Sequence, residues 1–155
     1  MKKLVLTLLS LLTLATAVMA ATTQDALDFF NRYVAAANTY NPIVATMYSS
    51  DARIIRQIVR PDGSLVTRET DTARYISEMK KGQAVAKLRQ YKNSYSNITV
   101  TALSNDTFKV SSLRQPSGES YKLKAYMIVK QKPDGNWVII EEMMQTKVQI
   151  LINAK

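Results

Sequence analysis

Two strand-like segments joined by Lys132-Pro133-Asp134-Gly135-Asn136 constrain this chain more than any other feature. Before the turn, Tyr121, Leu123, Ala125, Met127 and Val129 alternate with Lys122, Lys124, Tyr126, Ile128 and Lys130. That is the period of a half-buried strand. Pro133 presets φ for the turn, and Gly135 can take the left-handed conformation that closes a three-residue loop with a bulge. The returning arm, Trp137-Val138-Ile139-Ile140-Glu141-Glu142-Met143-Met144, is apolar on both faces until two carboxylates arrive side by side. Successive side chains of a strand point to opposite faces, so one of the two must point inward.

Register decides which, because a one-residue slip exchanges the faces. The bulged loop pairs Lys132 with Asn136 and sets Val129 beside Ile139, Met127 beside Glu141 and Ala125 beside Met143. A four-residue loop would turn Glu142 inward instead. Pro-Asp-Gly fits the bulged loop, so Glu141 is the expected inward carboxylate, between Met127 and Met143. Loss of hydration makes such a group require a partner or water. The candidate partners are Arg114, Arg53 or a hydroxyl from Tyr33, Tyr48 or Tyr75.

At 155 residues the chain suits one domain. Its first segment has the pattern of a cleaved signal peptide: Lys2 and Lys3, an apolar run from Leu4 to Val18, then Val18-Met19-Ala20. Cleavage after Ala20 is expected, leaving residues 21–155 as a single domain in the periplasm or outside the cell, with no membrane-spanning segment. Removing Lys2 and Lys3 from the 21 basic residues leaves 19 against 12 acidic ones, a formal charge of +7. A solvated basic surface accounts for this, and for an exported chain nucleic acid is not an expected partner. Without cysteine, disulfides and thiolate metal sites are excluded. Without histidine, the commonest general base near neutral pH is missing too.

Elsewhere, Thr22 or Thr23 caps a helix expected over residues 24–38, with Leu27, Phe30, Val34 and Ala37 as its apolar stripe and Ala26 and Tyr33 beside them. Asn41-Pro42 begins a short second helix, ended by Ser49, Ser50 and Asp51. Arg60-Pro61-Asp62-Gly63 joins two further strands at 53–59 and 65–68, a hairpin with the same turn chemistry. Asp71 caps a helix to about residue 90 whose polar side carries Lys80, Lys81, Lys87 and Arg89. Strands follow at 97–103 and 107–114, the second placing Phe108, Val110, Ser112 and Arg114 on one side.

Helices before and within a run of strands indicate an α+β fold with a single strongly curved, mostly antiparallel sheet. In Asp28-Phe29-Phe30-Asn31-Arg32-Tyr33, in Met47-Tyr48-Ser49-Ser50-Asp51-Ala52-Arg53-Ile54, and in Asp134-Gly135-Asn136-Trp137-Val138-Ile139, the chain resembles the nuclear transport factor 2-like superfamily. The resemblance spans Asp25 to about Val148 and implies N-terminal helices packed in the concave face of the sheet, a cone with a cavity between sheet and helices, serving binding or catalysis. No catalytic residue of the family transfers to this sequence position by position, and no cofactor or metal is expected. The expected function is binding of a small, partly apolar ligand by Glu141, Met127, Met143, Tyr33, Tyr48 and Arg114. Two alternatives are a homodimer formed through the outer sheet face of Lys122, Lys124, Tyr126 and Ile128, and an isomerase- or dehydratase-like enzyme using a cavity Glu and Tyr.

Overall fold

The computed structural model describes residues 20–149, so the expected signal segment, up to residue 19, lies outside the described residues. Helix α1 (Thr23–Asn38) opens with a reciprocal cap, in which the Thr22 hydroxyl accepts from the Asp25 amide and the Asp25 carboxylate accepts from the Thr22 amide. Its buried face is Ala26, Phe29, Phe30 and Tyr33, rotated from the expected stripe by the inclusion of Phe29. A 3₁₀ turn (Pro42–Met47) follows, with Asn41 accepting from the Ile43 amide as its cap. Strand β1 (Tyr48–Val59) begins at once and takes in Ser49, Ser50 and Asp51, which were expected to end a helix. Next come β2 (Leu65–Thr70), α2 (Thr72–Leu88), β3 (Asn93–Ala102), β4 (Thr107–Pro116), β5 (Leu123–Gln131) and β6 (Trp137–Thr146).

The six strands form one sheet in the order β2-β1-β6-β5-β4-β3. All pairings are antiparallel except β1 with β6, which run parallel one strand in from the β2 edge. Irregularities bend it: Asn97 in β3 takes φ 53°, where the β3–β4 register shifts, and β6 carries an extra residue opposite β5. Bulges of this kind increase twist and curl a sheet around its contents. The concave face closes over Phe29, Phe30 and Tyr33 of α1 with Ile54, Phe108, Val110, Met127, Val129 and Ile139. Trp137, at the start of β6, stacks on Phe29 and tilts against Phe108, which makes it the core anchor beside the turn. Among the described residues, no helix is long and apolar enough to cross a membrane.

Both long helices end in a left-handed residue that is not glycine, Tyr40 at φ 58° and Gln90 at φ 50°. Each end makes the paired turn expected of such a stop, with Asn41 N–H donating to the Ala36 carbonyl and Tyr91 N–H to the Ala86 carbonyl. A side chain in this conformation clashes with the following carbonyl, a cost that glycine escapes. Gln90 is exposed, so Gln90→Gly should raise the unfolding free energy by about 0.5–1 kcal/mol in urea titrations.

Candidate functional site

The inward carboxylate is Glu142, not Glu141. The turn forms as expected, with Lys132 N–H donating to the Asn136 carbonyl and Val129 opposite Ile139. One residue further on, the register shifts: Ile128 faces Glu141, Met127 faces Glu142 and Ala125 faces Met144. Ile140 is the extra residue, and it exchanges the faces of everything that follows. Glu141 and Met143 therefore lie on the convex side. There Glu141 accepts from Tyr126 at 2.6 Å and from Arg53 at 2.9 Å, while Arg53 also bonds Glu69. Met143 pairs with Tyr126 across the strands.

Glu142 is fully buried, with 0% of its surface exposed. Four donors converge on it. Tyr48 Oη donates to Oε2 at 2.5 Å, and Tyr33 Oη lies 3.3 Å from the same oxygen and 3.1 Å from the Tyr48 hydroxyl. Arg56 Nη2 donates to Oε1 at 2.6 Å, and Tyr75 Oη approaches Oε1 at 3.3 Å. A carboxylate has about four acceptor positions, so this one is saturated. Burial pushes the Tyr33, Tyr48 and Tyr75 hydroxyls up in pKa, and the adjacent Glu142 charge pushes them further, Tyr75 to about 12. Tyr95 is raised for the same two reasons. For Arg56, burial opposes the charged form, but the Glu142 carboxylate outweighs it and holds the guanidinium firmly protonated. Arg56 also lies over the Tyr75 ring, 5.1 Å from its centroid, so α2 is tied to the cluster by ring and hydroxyl alike.

Between α1, α2 and the start of β3 lies a cavity of about 310 Å³. Tyr33 and Tyr75 present the edge of the cluster to it, while Ala37, Val44, Met79 and Ala86 supply apolar wall. Gly82 of α2 also lines it, and a Cβ there would meet no atom within 4 Å. A wider depression of about 500 Å³, by Arg32, Ile43 and Trp137, includes no member of the cluster. Among the described residues, no group of three or more His, Cys, Asp or Glu side chains converges to hold a metal.

Of the residues singled out from sequence, Tyr33, Tyr48, Met127 and Arg114 face inward, and Glu141 and Met143 do not. Neither Arg114 nor Arg53 pairs with the inward carboxylate; Arg56, not anticipated, does. Its signal was the period of two in β1, since Ile54 and Ile58 are almost wholly buried and Arg56 lies between them on the same face. The run Ile54-Ile55 is apolar on both faces and hid that period.

No protein-family model matches the chain, and none of the curated proteins does. Solved structures do. A nuclear transport factor 2-like protein of unknown function from Shewanella oneidensis superposes with a TM-score of 0.60 at 16% identity, covering 80% of this chain and 98% of that one. A Shewanella frigidimarina chain named for ketosteroid isomerase gives 0.55 at 16% identity, covering 79% and 94%. A Novosphingobium aromaticivorans chain named for scytalone dehydratase gives 0.51 at 16% identity, covering 78% and 80%. Six strands wrapped around the helices, with a polar cluster at the sheet's centre, thus give this chain the nuclear transport factor 2-like, cystatin-like fold.

Proposed function

We propose that this exported domain binds a small, partly apolar molecule in the cavity between α1, α2 and β3, without acting on it chemically. The observation that carries this reading is a cavity with apolar walls and tyrosine hydroxyls at one side, those hydroxyls being fixed by a carboxylate that has no acceptor position left. Fold neighbours named for an isomerase and a dehydratase make a proton-transferring carboxylate the natural comparison. Glu142 is poorly suited to that role, because Arg56 neutralises it and four donors occupy it. It serves as a positioning residue, holding the tyrosine wall rigid. A volume of about 310 Å³ lies at the small end of the range for ligand sites.

The test is thermal and chemical unfolding of residues 21–155 against a set of fatty acids, aromatic acids, sterols and their neutral analogues. A true ligand at a hundred times its Kd adds about 2.7 kcal/mol to the unfolding free energy. Gly82→Phe should fill the cavity from the α2 side, keep the fold and abolish that response. Stabilisation that persists undiminished in Gly82→Phe would place the ligand elsewhere and sink the reading.

A further inference from the structure

We infer that the cavity's ligand is a carboxylate, drawn to the Tyr91–Asn93 end of the cavity by the buried guanidinium of Arg114. This inference rests on the binding role proposed above and adds the charge of the ligand.

Arg114 is only 6% exposed. Its terminal nitrogens donate to Asn93 Oδ1 at 2.7 Å, to Tyr91 Oη at 3.4 Å and to the Gln145 carbonyl at 2.9 Å, all neutral acceptors. Nε is buried with no hydrogen-bond partner, as is the Ser112 hydroxyl two residues earlier on the same inner face. Among the described residues, no carboxylate stands within ion-pair distance of this guanidinium, whereas Arg56 has Glu142. A cation taken out of water without a counter-charge costs several kcal/mol. Its field also projects through a medium that screens poorly.

The cavity lies next to the groups that hold this guanidinium. Asn93 and Tyr91, the two side chains on the guanidinium, both line it. With its oxygen committed to Arg114, the Asn93 carboxamide has only N–H groups left to offer. Tyr40 lines the same wall, and its hydroxyl is buried with no partner. No aspartate or glutamate is among the described residues lining the cavity. The donors left at this end are the Asn93 N–H groups and the Tyr40 hydroxyl, the Tyr91 proton being held by Asn93 Oδ1 at 3.3 Å, and behind them stands a guanidinium with no carboxylate in ion-pair distance among the described residues; Lys80, Lys87 and Lys92 extend that sign around α2 and the start of β3. An acceptor with a full negative charge is the group that completes such a site.

Isothermal titration of residues 21–155 with octanoate and with octanamide tests this. Octanoate should bind about tenfold or more tightly than octanamide at low salt, a preference that shrinks as salt is added. The informative variant is Asn93→Asp, nearly isosteric, which sets a carboxylate 2.7 Å from Arg114 in place of the carboxamide oxygen. It should remove the preference for octanoate, leave octanamide binding in place and keep the fold. Tyr91→Phe, at a half-exposed position, should weaken octanoate severalfold and octanamide little. Equal affinity for the two probes, or an undiminished preference in Asn93→Asp, overturns the inference. Octanamide binding that Gly82→Phe abolishes, without a preference for octanoate, overturns it while leaving the binding role intact. If neither probe binds at millimolar concentration, this inference fails as well.

Discussion

Glu142→Ala lowers the unfolding free energy by about 3–5 kcal/mol in urea titrations, while Glu141→Ala changes it by about 1 kcal/mol or less. The two residues are adjacent and chemically identical, so the contrast depends only on the side of the sheet each faces. Removing the Glu142 side chain leaves Arg56 charged, mostly buried and without its carboxylate, and deprives three tyrosine hydroxyls of their acceptor. Buried donors without acceptors cost about 1–3 kcal/mol each when water cannot reach them. Glu141 is itself 15% exposed, but its loss leaves no buried charge unpaired, because Arg53 is 56% exposed and keeps Glu69. Equal effects from the two substitutions would contradict the observed register. Arg56→Met in the Glu142→Leu background should recover the part of the loss that comes from the unpaired guanidinium, since an apolar pair of similar volume often replaces a buried ion pair at little cost, and leave the part that comes from the three tyrosine hydroxyls.

How much of this could be read from sequence follows from the range over which each feature is determined. Turn chemistry is local, so both Pro-Asp-Gly hairpins and the Lys132–Asn136 pairing were legible, as were the caps at Thr22, Asn41 and Asp71. The cone was legible from the order of elements and from loose patterns in α1, β1 and β6. The bulge at Ile140 was not. Val138, Ile139 and Ile140 are apolar on both faces, so alternation gives no phase there, and the extra residue is fixed by what lies on either side. On one side β5 pairs in register up to Val129; on the other, β1 also slips against β6 between Tyr48 and Arg53. A long-range adjustment on both flanks of one strand turned the acidic pair over, and Met143 with it. A buried carboxylate calls for an arginine or a tyrosine hydroxyl as partner, and both kinds are present, but around Glu142 rather than Glu141 and with Arg56 in place of Arg53 or Arg114. The cavity near Arg114 depends on where α2 rests, which the amphipathic pattern of that helix barely specifies.

The second large effect is alkaline. Stability should fall steeply between about pH 10 and about pH 12. Tyr33, Tyr48, Tyr75 and Tyr95 all have their pKa raised by burial first and by the Glu142 charge second, Tyr75 to about 12. In the unfolded chain a tyrosine ionises near pH 10. Above that pH the unfolded state sheds protons that the folded state retains, so the folded state binds more protons and the unfolding free energy decreases with pH. Each such tyrosine contributes a slope of about 1.4 kcal/mol per pH unit between its unfolded and folded pKa. Several acting together remove most of the stability of a domain this size within about two pH units. Urea titrations at half-unit intervals, with tyrosinate absorbance as a second signal, would show the buried hydroxyls ionising only as the fold is lost. Tyr75→Phe, which removes one of the raised hydroxyls, should make the decline shallower. A flat profile across pH 10–12 would mean that these hydroxyls ionise in the folded protein as they do in water, and that the cluster around Glu142 does not hold.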